Sequence, residues 1–310
     1  MRILITGGAG FQGSHLAERL LDAGHKVTLL NTYSQQAERN ISGCVEMLAA
    51  VWGSVTDAEV VEKTLREQAV VFHMAARVSV DESIETPESF LNVNVMGMYN
   101  VLEAAKKHGV RVIFASTCEV YGYAGDGLAS ETSELRPHSP YAASKAGADR
   151  LCFAYWMTHG LNVTVVRPCN IYGPRQRSGR SGAVIPRFVD RALSGEPLTV
   201  FGTGQQRREY MHVNDLVDAY HLVLDKNPDQ GEAINLGTGE TPSIREIAEF
   251  VAQKLDARVE YGPGRPGEVE GFNLDTSRSR LLGFEPRVPF WDGLDEYIRL
   301  RTADNERNAV

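Results

Sequence analysis

The sequence predicts an α/β chain built on a doubly wound parallel sheet, with a smaller lobe toward the C-terminus. Three observations carry this. Short β-branched runs alternate with helical stretches through the first half, a glycine-rich turn joins the first strand to the first helix, and past residue 170 the texture shifts to more Arg, Gly and Pro with shorter elements. Apolar strands alternating with helices imply a parallel sheet covered on both faces. Ile3-Leu4-Ile5 forms the first strand, and a helix follows over about residues 13–23. Residues 27–30 are the second strand, 45–51 the third, and 69–73 the fourth, after a charge-rich helix. A long helix over 89–108 leads to a strand at 110–115, and another over 139–158 leads to a strand at 163–166. Residues 233–236 are strand-like and are expected to rejoin the main sheet. The expected division is a larger domain of residues 1–169, with 209–236 returning to it, and a lobe of residues 170–208 and 237–310. The turn-rich stretch 172–182 is the expected crossing point.

Composition removes several function classes. With 43% apolar and 23% charged residues, 29 Gly and 13 Pro, the 310-residue chain is neither disordered, collagen-like nor a coiled coil. Its 32 Lys and Arg against 40 Asp and Glu leave a formal charge of −8, which argues against nucleic acid or an anionic membrane as partner. An anionic ligand would therefore need a local basic site. No apolar run approaches the roughly 20 residues of a membrane span. The start, Met1-Arg2-Ile3-Leu4-Ile5-Thr6-Gly7, turns glycine-rich too early for a signal peptide. Cys44, Cys118, Cys152 and Cys169 form no C-x-x-C, so a reduced, cytoplasmic setting is expected.

The turn Thr6-Gly7-Gly8-Ala9-Gly10-Phe11-Gln12-Gly13 stands between strand and helix, where a dinucleotide-binding loop must stand. Gly7 and Gly10 would let the backbone turn sharply and approach a pyrophosphate held by the helix N-terminus, and Gly13 would allow close helix–strand packing. The spacing is G-x-x-G-x-x-G rather than G-x-G-x-x-G. Where an acid usually binds the ribose hydroxyls, this chain has Asn31, which can bond a hydroxyl without repelling a 2′-phosphate. The nearest arginine is Arg39, so NAD is expected rather than NADP.

Tyr141-Ala142-Ala143-Ser144-Lys145 puts Tyr141 and Lys145 on one helix face. A free tyrosine, with a pKa near 10, is a poor base at neutral pH, but an adjacent ammonium and a positive nicotinamide ring both favour phenolate. The same spacing also fits an ordinary half-exposed helix face. The preceding strand, Ile113-Phe114-Ala115-Ser116, runs straight into Thr117-Cys118-Glu119 at its carboxyl end, where open parallel sheets bind ligands.

Together with Arg167-Pro168-Cys169-Asn170-Ile171-Tyr172-Gly173-Pro174, these motifs resemble the extended short-chain dehydrogenase/reductase family of nucleotide-sugar epimerases and dehydratases, over nearly the whole chain. Asn94 matches the family's helix asparagine; residues 184–188 and 202–210 match its nucleotide-sugar segments, and 235–239, 265–268 and 282–286 its C-terminal signatures. The resemblance implies a Rossmann-type domain holding NAD almost permanently. It implies cofactor contacts from Gly7, Gly10, Phe11, Gln12, Gly13 and Asn31, then from Ser54, Val55, Ala75 and Asn94, and finally from Tyr141, Lys145 and Pro168. It also implies that Tyr141, helped by Thr117 and Lys145, takes the proton of the sugar 4-hydroxyl. Val78, Asn170, Val184 and Arg187 would contact the substrate, a UDP-sugar, while Arg208 and Arg265 carry its diphosphate on forked donors. Arg175, Arg177 and Arg180 form either a mobile lid or a solvated loop. A homodimer through the two long helices is the family default.

The strand-end triplet separates the reactions. Family epimerases follow the Thr or Ser with small neutral residues. The 4,6-dehydratases carry Thr-Asp-Glu, in which Asp protonates the leaving 6-hydroxyl and Glu removes the C5 proton, and the decarboxylases carry Thr-Ser-Glu. Glu119 here implies proton removal beside a 4-ketone, and hence elimination. A thiol, with a pKa near 8.5, keeps its proton at neutral pH where an aspartate near 3.9 must be strongly perturbed to do so, which suits Cys118 as the acid. The Thr-Cys-Glu order is similar to that of the NDP-hexosamine 5,6-dehydratases of the tunicamycin pathway. The expectation is a lyase that makes an exocyclic alkene from UDP-N-acetylglucosamine in nucleoside-antibiotic biosynthesis. A 4,6-dehydratase, a 4-epimerase and a non-catalytic nucleotide-sensing protein are the rivals; the first returns hydride to C6, the second leaves Glu119 idle, and the third would lack the Tyr/Lys set.

Overall fold

The β-branched runs assemble side by side as parallel strands. A computed structural model describes residues 1–122, 127–177, 182–228, 231–264, 271 and 273–308. Its main sheet has seven strands. β1 (Arg2–Thr6) lies between β2 (Lys26–Asn31) and β4 (Val70–His73), β3 (Ala49–Trp52) forms one edge, and β5 (Arg111–Ala115), β6 (Val163–Pro168) and β10 (Ala233–Leu236) continue to the other. Every neighbouring pair is parallel. The strand order therefore reverses between β1 and β4, and ligands in such sheets bind at the carboxyl ends beside that reversal. The segment at 233–236 is the far edge strand, paired with β6 as Ala233↔Val165.

Each face of the sheet carries its own apolar layer. On one, α1 (Phe11–Asp22), α2 (Gln35–Ile41) and α9 (Val213–Lys226) bury Leu16, Ile41 and Tyr220 against Ile3, Ile5 and Phe72. On the other, α3 (Ala58–Leu65), α6 (Gly97–His108) and α7 (Pro140–His159) bury Val61, Leu102 and Cys152 against Leu4, Val71 and Val112. Two short helices, α4 (Val80–Glu85) and α5 (Pro87–Phe90), precede α6. Burial on both faces explains why the strands read as apolar runs without alternation.

Two expected boundaries shift, and one expected helix is interrupted. α1 starts at Phe11 rather than near residue 13, because Gly10 adopts an extended N-cap conformation with φ −78° and ψ −175°. Residues 45–47 form a 3₁₀ turn, and the third strand begins only at Ala49, because Val45 and Met47 point outward at 47% and 62% exposure. Finally, the long helix over 89–108 contains a π-helical stretch at Leu91–Met96.

A separate core gathers the remaining elements. β7 (Asn170–Tyr172) pairs with β9 (Tyr210–His212), and β8 (Leu198–Phe201) with β11 (Val259–Gly262). α8 (Val184–Leu193), α10 (Ile244–Leu255) and α12 (Phe290–Asn308) pack on them around Tyr172, Phe188, Val200, Ile247 and Phe290, while the short α11 (Ser277–Leu281) lies against β10. Tyr210 belongs to this core, whereas Met211 and Val213 just beyond it pack in the layer on the main sheet. Among the described residues no helix is long and apolar enough to cross a membrane.

Candidate active site

A groove of about 1250 Å³ runs along the carboxyl ends of the strands and is walled by both cores. At one end stands the glycine loop. Gly7 has φ +72°, and a Cβ there would lie 2.8 Å from the Ala75 nitrogen, so conformation and space both exclude a side chain. A Cβ on Gly13 would lie 2.4 Å from the Gly7 carbonyl oxygen, and α1 packs on the loop through that bare position. Gly10, Phe11 and Gln12 line the groove, and α1 has no side-chain cap, which leaves its first-turn N–H groups for an anion. Asn31 lines the groove but also braces the loop, its Oδ1 accepting from the Ala9 N–H at 3.2 Å. Asn40 holds the Ala9 carbonyl from the other side at 3.0 Å. Ser54, Val55, Ala75 and Pro168 complete this wall. Such a cradle, open only to backbone-close ligands, fits a dinucleotide.

Asn94 does something other than expected. It is 2% exposed and its polar atoms are spent on protein: Oδ1 accepts from the Arg77 N–H at 2.8 Å, and Nδ2 donates to the Arg77 carbonyl at 3.0 Å and to Ser144 Oγ at 2.8 Å. It sits in the π-helical stretch, a geometry common at functional sites. Asn94 thus fixes the segment after β4 to α7, and Val93 rather than Asn94 lines the groove.

Ser139 caps α7 by accepting from the Ala142 N–H, with Pro140 at the first helical position, so Tyr141 and Lys145 face the groove one turn apart. Lys145 Nζ donates to the Ala115 carbonyl and lies 4.3 Å from the Phe114 ring centroid. Burial pulls its ammonium down to about 7. Thr117 caps the 3₁₀ turn Cys118–Tyr121, its hydroxyl accepting from the Glu119 N–H at 3.2 Å. Burial, reinforced by the Glu119 charge, pushes the Tyr141 phenol well above its ordinary range, while a hydrogen bond with Thr117 opposes the rise. Burial likewise raises Glu119, with Arg208 opposing. Thr117, Glu119, Tyr141 and Lys145 share the groove surface. Cys118 is set just behind it, 3% exposed in the apolar cluster with Val120, Cys169 and Met211, and burial keeps its thiol protonated.

Beneath these residues lies a buried polar network centred on Arg167 and Asp149. Arg167, 1% exposed, grips Asp149 through two 2.8 Å hydrogen bonds and donates to Tyr121 Oη at 2.7 Å. Asp149 also accepts from Ser116 Oγ at 3.0 Å, and Tyr121 donates to Asn235 Oδ1 at 2.6 Å. Although burial opposes it, Arg167 holds the Asp149 carboxyl below its usual value. The network ties the end of β5, the turn carrying Glu119, and α7 into one rigid unit. The signal for Asp149 was its place one further helical turn beyond Lys145.

Residues 3–237 match the model of the NAD dependent epimerase/dehydratase family. The chain belongs to that family. It is 38% identical over 313 residues to a dTDP-glucose 4,6-dehydratase from Streptomyces niveus, covering 96% of this chain and 92% of the relative. The structure is similar to that of DesIV, a dTDP-glucose 4,6-dehydratase from Streptomyces venezuelae solved with NAD bound, with a TM-score of 0.93, 36% identity, and coverage of 99% of this chain and 98% of that one. It is also similar to a UDP-N-acetylglucosamine 4-epimerase from Methanobrevibacter ruminantium M1, with a TM-score of 0.91, 30% identity and 98% of each chain covered.

The groove of this epimerase/dehydratase chain is also lined by Val78, Asn170, Val184, Arg187 and Arg208. The Asn170 amide donates to the Glu209 carbonyl at 3.1 Å, and Arg208 donates to the Arg207 carbonyl at 2.8 Å. Arg265 and Arg180 lie outside the described residues. Arg175 and Arg177 line the groove, and Arg175 is fixed to α1 rather than free in solvent.

Proposed function

We propose that this family member binds NAD and dehydrates UDP-N-acetylglucosamine across C5–C6, leaving an exocyclic alkene and a restored C4 hydroxyl. The observation that carries the reading is Glu119, a carboxylate raised by burial, on the same groove surface as Tyr141, Lys145 and Thr117. An epimerase has no work for such a base. NAD, when bound by the glycine loop, supplies the capacity to take a hydride from C4 and give it back, and brings a positive ring that favours phenolate. Tyr141 takes the C4 hydroxyl proton, Thr117 orients the phenol, and Lys145 is the nearby ammonium. The resulting 4-ketone acidifies C5–H, whose proton goes to Glu119. Cys118 gives its proton to the leaving 6-hydroxyl, the C6–O bond breaks, and water departs. Glu119 then returns its proton to the Cys118 thiolate, and Tyr141 reprotonates O4.

Arg208 and Arg187 supply the local positive charge that an acidic protein needs for a diphosphate. Similarity to 4,6-dehydratases favours a second reading in which hydride returns to C6. Both readings require loss of one water. Mass spectrometry of UDP-N-acetylglucosamine after incubation is expected to show that loss; an unchanged mass, with or without inversion at C4, would overturn both. By the resemblance to the tunicamycin-pathway enzymes, we assign this chemistry to nucleoside-antibiotic biosynthesis in the cytoplasm.

The same reading pairs two copies through the long helices, where Met96, Tyr99, Phe153 and Met157 are 49%, 41%, 38% and 60% exposed. Light scattering should give twice the 34.1 kDa chain mass, and a monomer mass across micromolar concentrations would contradict the pairing.

A further inference from the structure

Just past β7, the chain crosses from the substrate side of the groove toward the glycine-loop helix and takes an unusual course. Arg175 has φ +67°, in the left-handed region that a non-glycine residue occupies only at a cost, so the contacts around it must hold it there. Among the described residues, its side-chain hydrogen bonds lead to α1. The guanidinium donates through Nη1 to Ser14 Oγ at 3.1 Å and through Nη2 to Glu18 Oε1 at 2.6 Å. One residue earlier, the Pro174 carbonyl accepts from His15 Nε2 at 3.0 Å. Three residues in the first turns of one helix thus bind two consecutive residues of the crossing segment, more than 150 positions away in sequence.

The place matters because α1 is the helix whose uncapped N-terminus faces the groove, and Arg175, Gln176 and Arg177 line that same groove. We propose that Arg175 is a positioning residue: it straps the crossing segment to α1 across the diphosphate end of the groove, and so retains NAD between turnovers. The proposal rests on the NAD reading of the glycine loop. A dinucleotide held by the α1 N-terminus would lie beside residues 175–177 of the groove wall, and the Arg175–Glu18 pair and the His15–Pro174 bond hold that wall against the helix from behind. Both side chains of the pair are partly shielded, at 28% and 33% exposure, which spares it much of the solvent screening that weakens surface pairs. An enzyme that takes and returns hydride on one sugar has no need to exchange its cofactor, so a slow gate costs it nothing.

Arg175→Gly separates this role from general packing. Glycine relieves the left-handed backbone while removing the side chain with its fork. With saturating NAD present, the melting temperature of the variant should stay within a few degrees of wild type. NAD bound to the purified enzyme and diluted into cofactor-free buffer should nevertheless dissociate about tenfold faster or more, the scale of losing one charge-assisted hydrogen bond. Arg175→Lys should recover part of the retention, and Glu18→Gln should reproduce the loss from the other side. Added salt should speed release from wild type but hardly from Arg175→Gly. Should Arg175→Gly not fold, Glu18→Gln decides by itself. Wild-type retention in the folded variants would overturn the strap, whereas a wild-type protein that binds no NAD at all would overturn the cofactor reading and the strap with it.

Discussion

Tyr141→Phe is expected to bind nucleotide sugar and cofactor normally and to turn over at least about 10²-fold more slowly, the lower range of what a positioned proton-transfer group contributes. The ring is 8% exposed and meets Phe90 edge-on at 6.4 Å, so removing the hydroxyl leaves the packing in place. What is lost is the acceptor for the 4-hydroxyl proton and the hydrogen-bond partner of Thr117. Burial and the Glu119 charge hold the free phenol protonated, so the nearby Lys145 ammonium is expected to need the positive ring of bound NAD beside it before the phenol ionises. Single-turnover absorbance of the reduced cofactor is the measurement. A variant within tenfold of wild type would show that Tyr141 only packs.

The second large effect divides the elimination between two adjacent residues. Glu119→Gln should abolish exchange of the substrate C5 proton with solvent deuterium, because the amide cannot accept it. Cys118→Ala should leave that exchange nearly intact while slowing loss of the 6-hydroxyl by about 10²–10⁴-fold. Exchange reports deprotonation at C5 even when elimination fails, so the two roles separate in one experiment. The depth of Cys118 sharpens the test. It lies behind the groove surface among apolar neighbours, where alanine leaves a sulfur-sized gap, so the intact C5 exchange is the control that the site is preserved. Normal elimination in Cys118→Ala would make the thiol a packing group and leave the acid to be sought at Tyr141 or a water.

The residues that were legible from sequence are those whose reason is local. Gly7 and Gly13 need their bare backbones within a single turn, and Ser139-Pro140 announces the helix that carries Tyr141 and Lys145. Apolar runs marked the buried strands because both faces are covered. What escaped was set by distant partners. Val45 and Met47 look like strand residues but lie in a 3₁₀ turn, and the strand's pairing starts only at Ala49. Asn94 reads as a ligand contact, yet the π-helical stretch, which periodicity does not reveal, turns it onto Arg77 and Ser144. Asp149 and Arg167 meet across α7 and β6, and Arg175 reaches α1, by tertiary contacts that no spacing rule encodes.

The product itself separates the remaining readings. A proton NMR spectrum of UDP-N-acetylglucosamine after incubation with the enzyme and NAD should show two vinyl protons of an exocyclic C5–C6 alkene, an intact C4 proton and no 6-methyl signal. A 6-methyl doublet beside a 4-ketone would instead mean that hydride returns to C6, and would contradict the 5,6-dehydratase assignment.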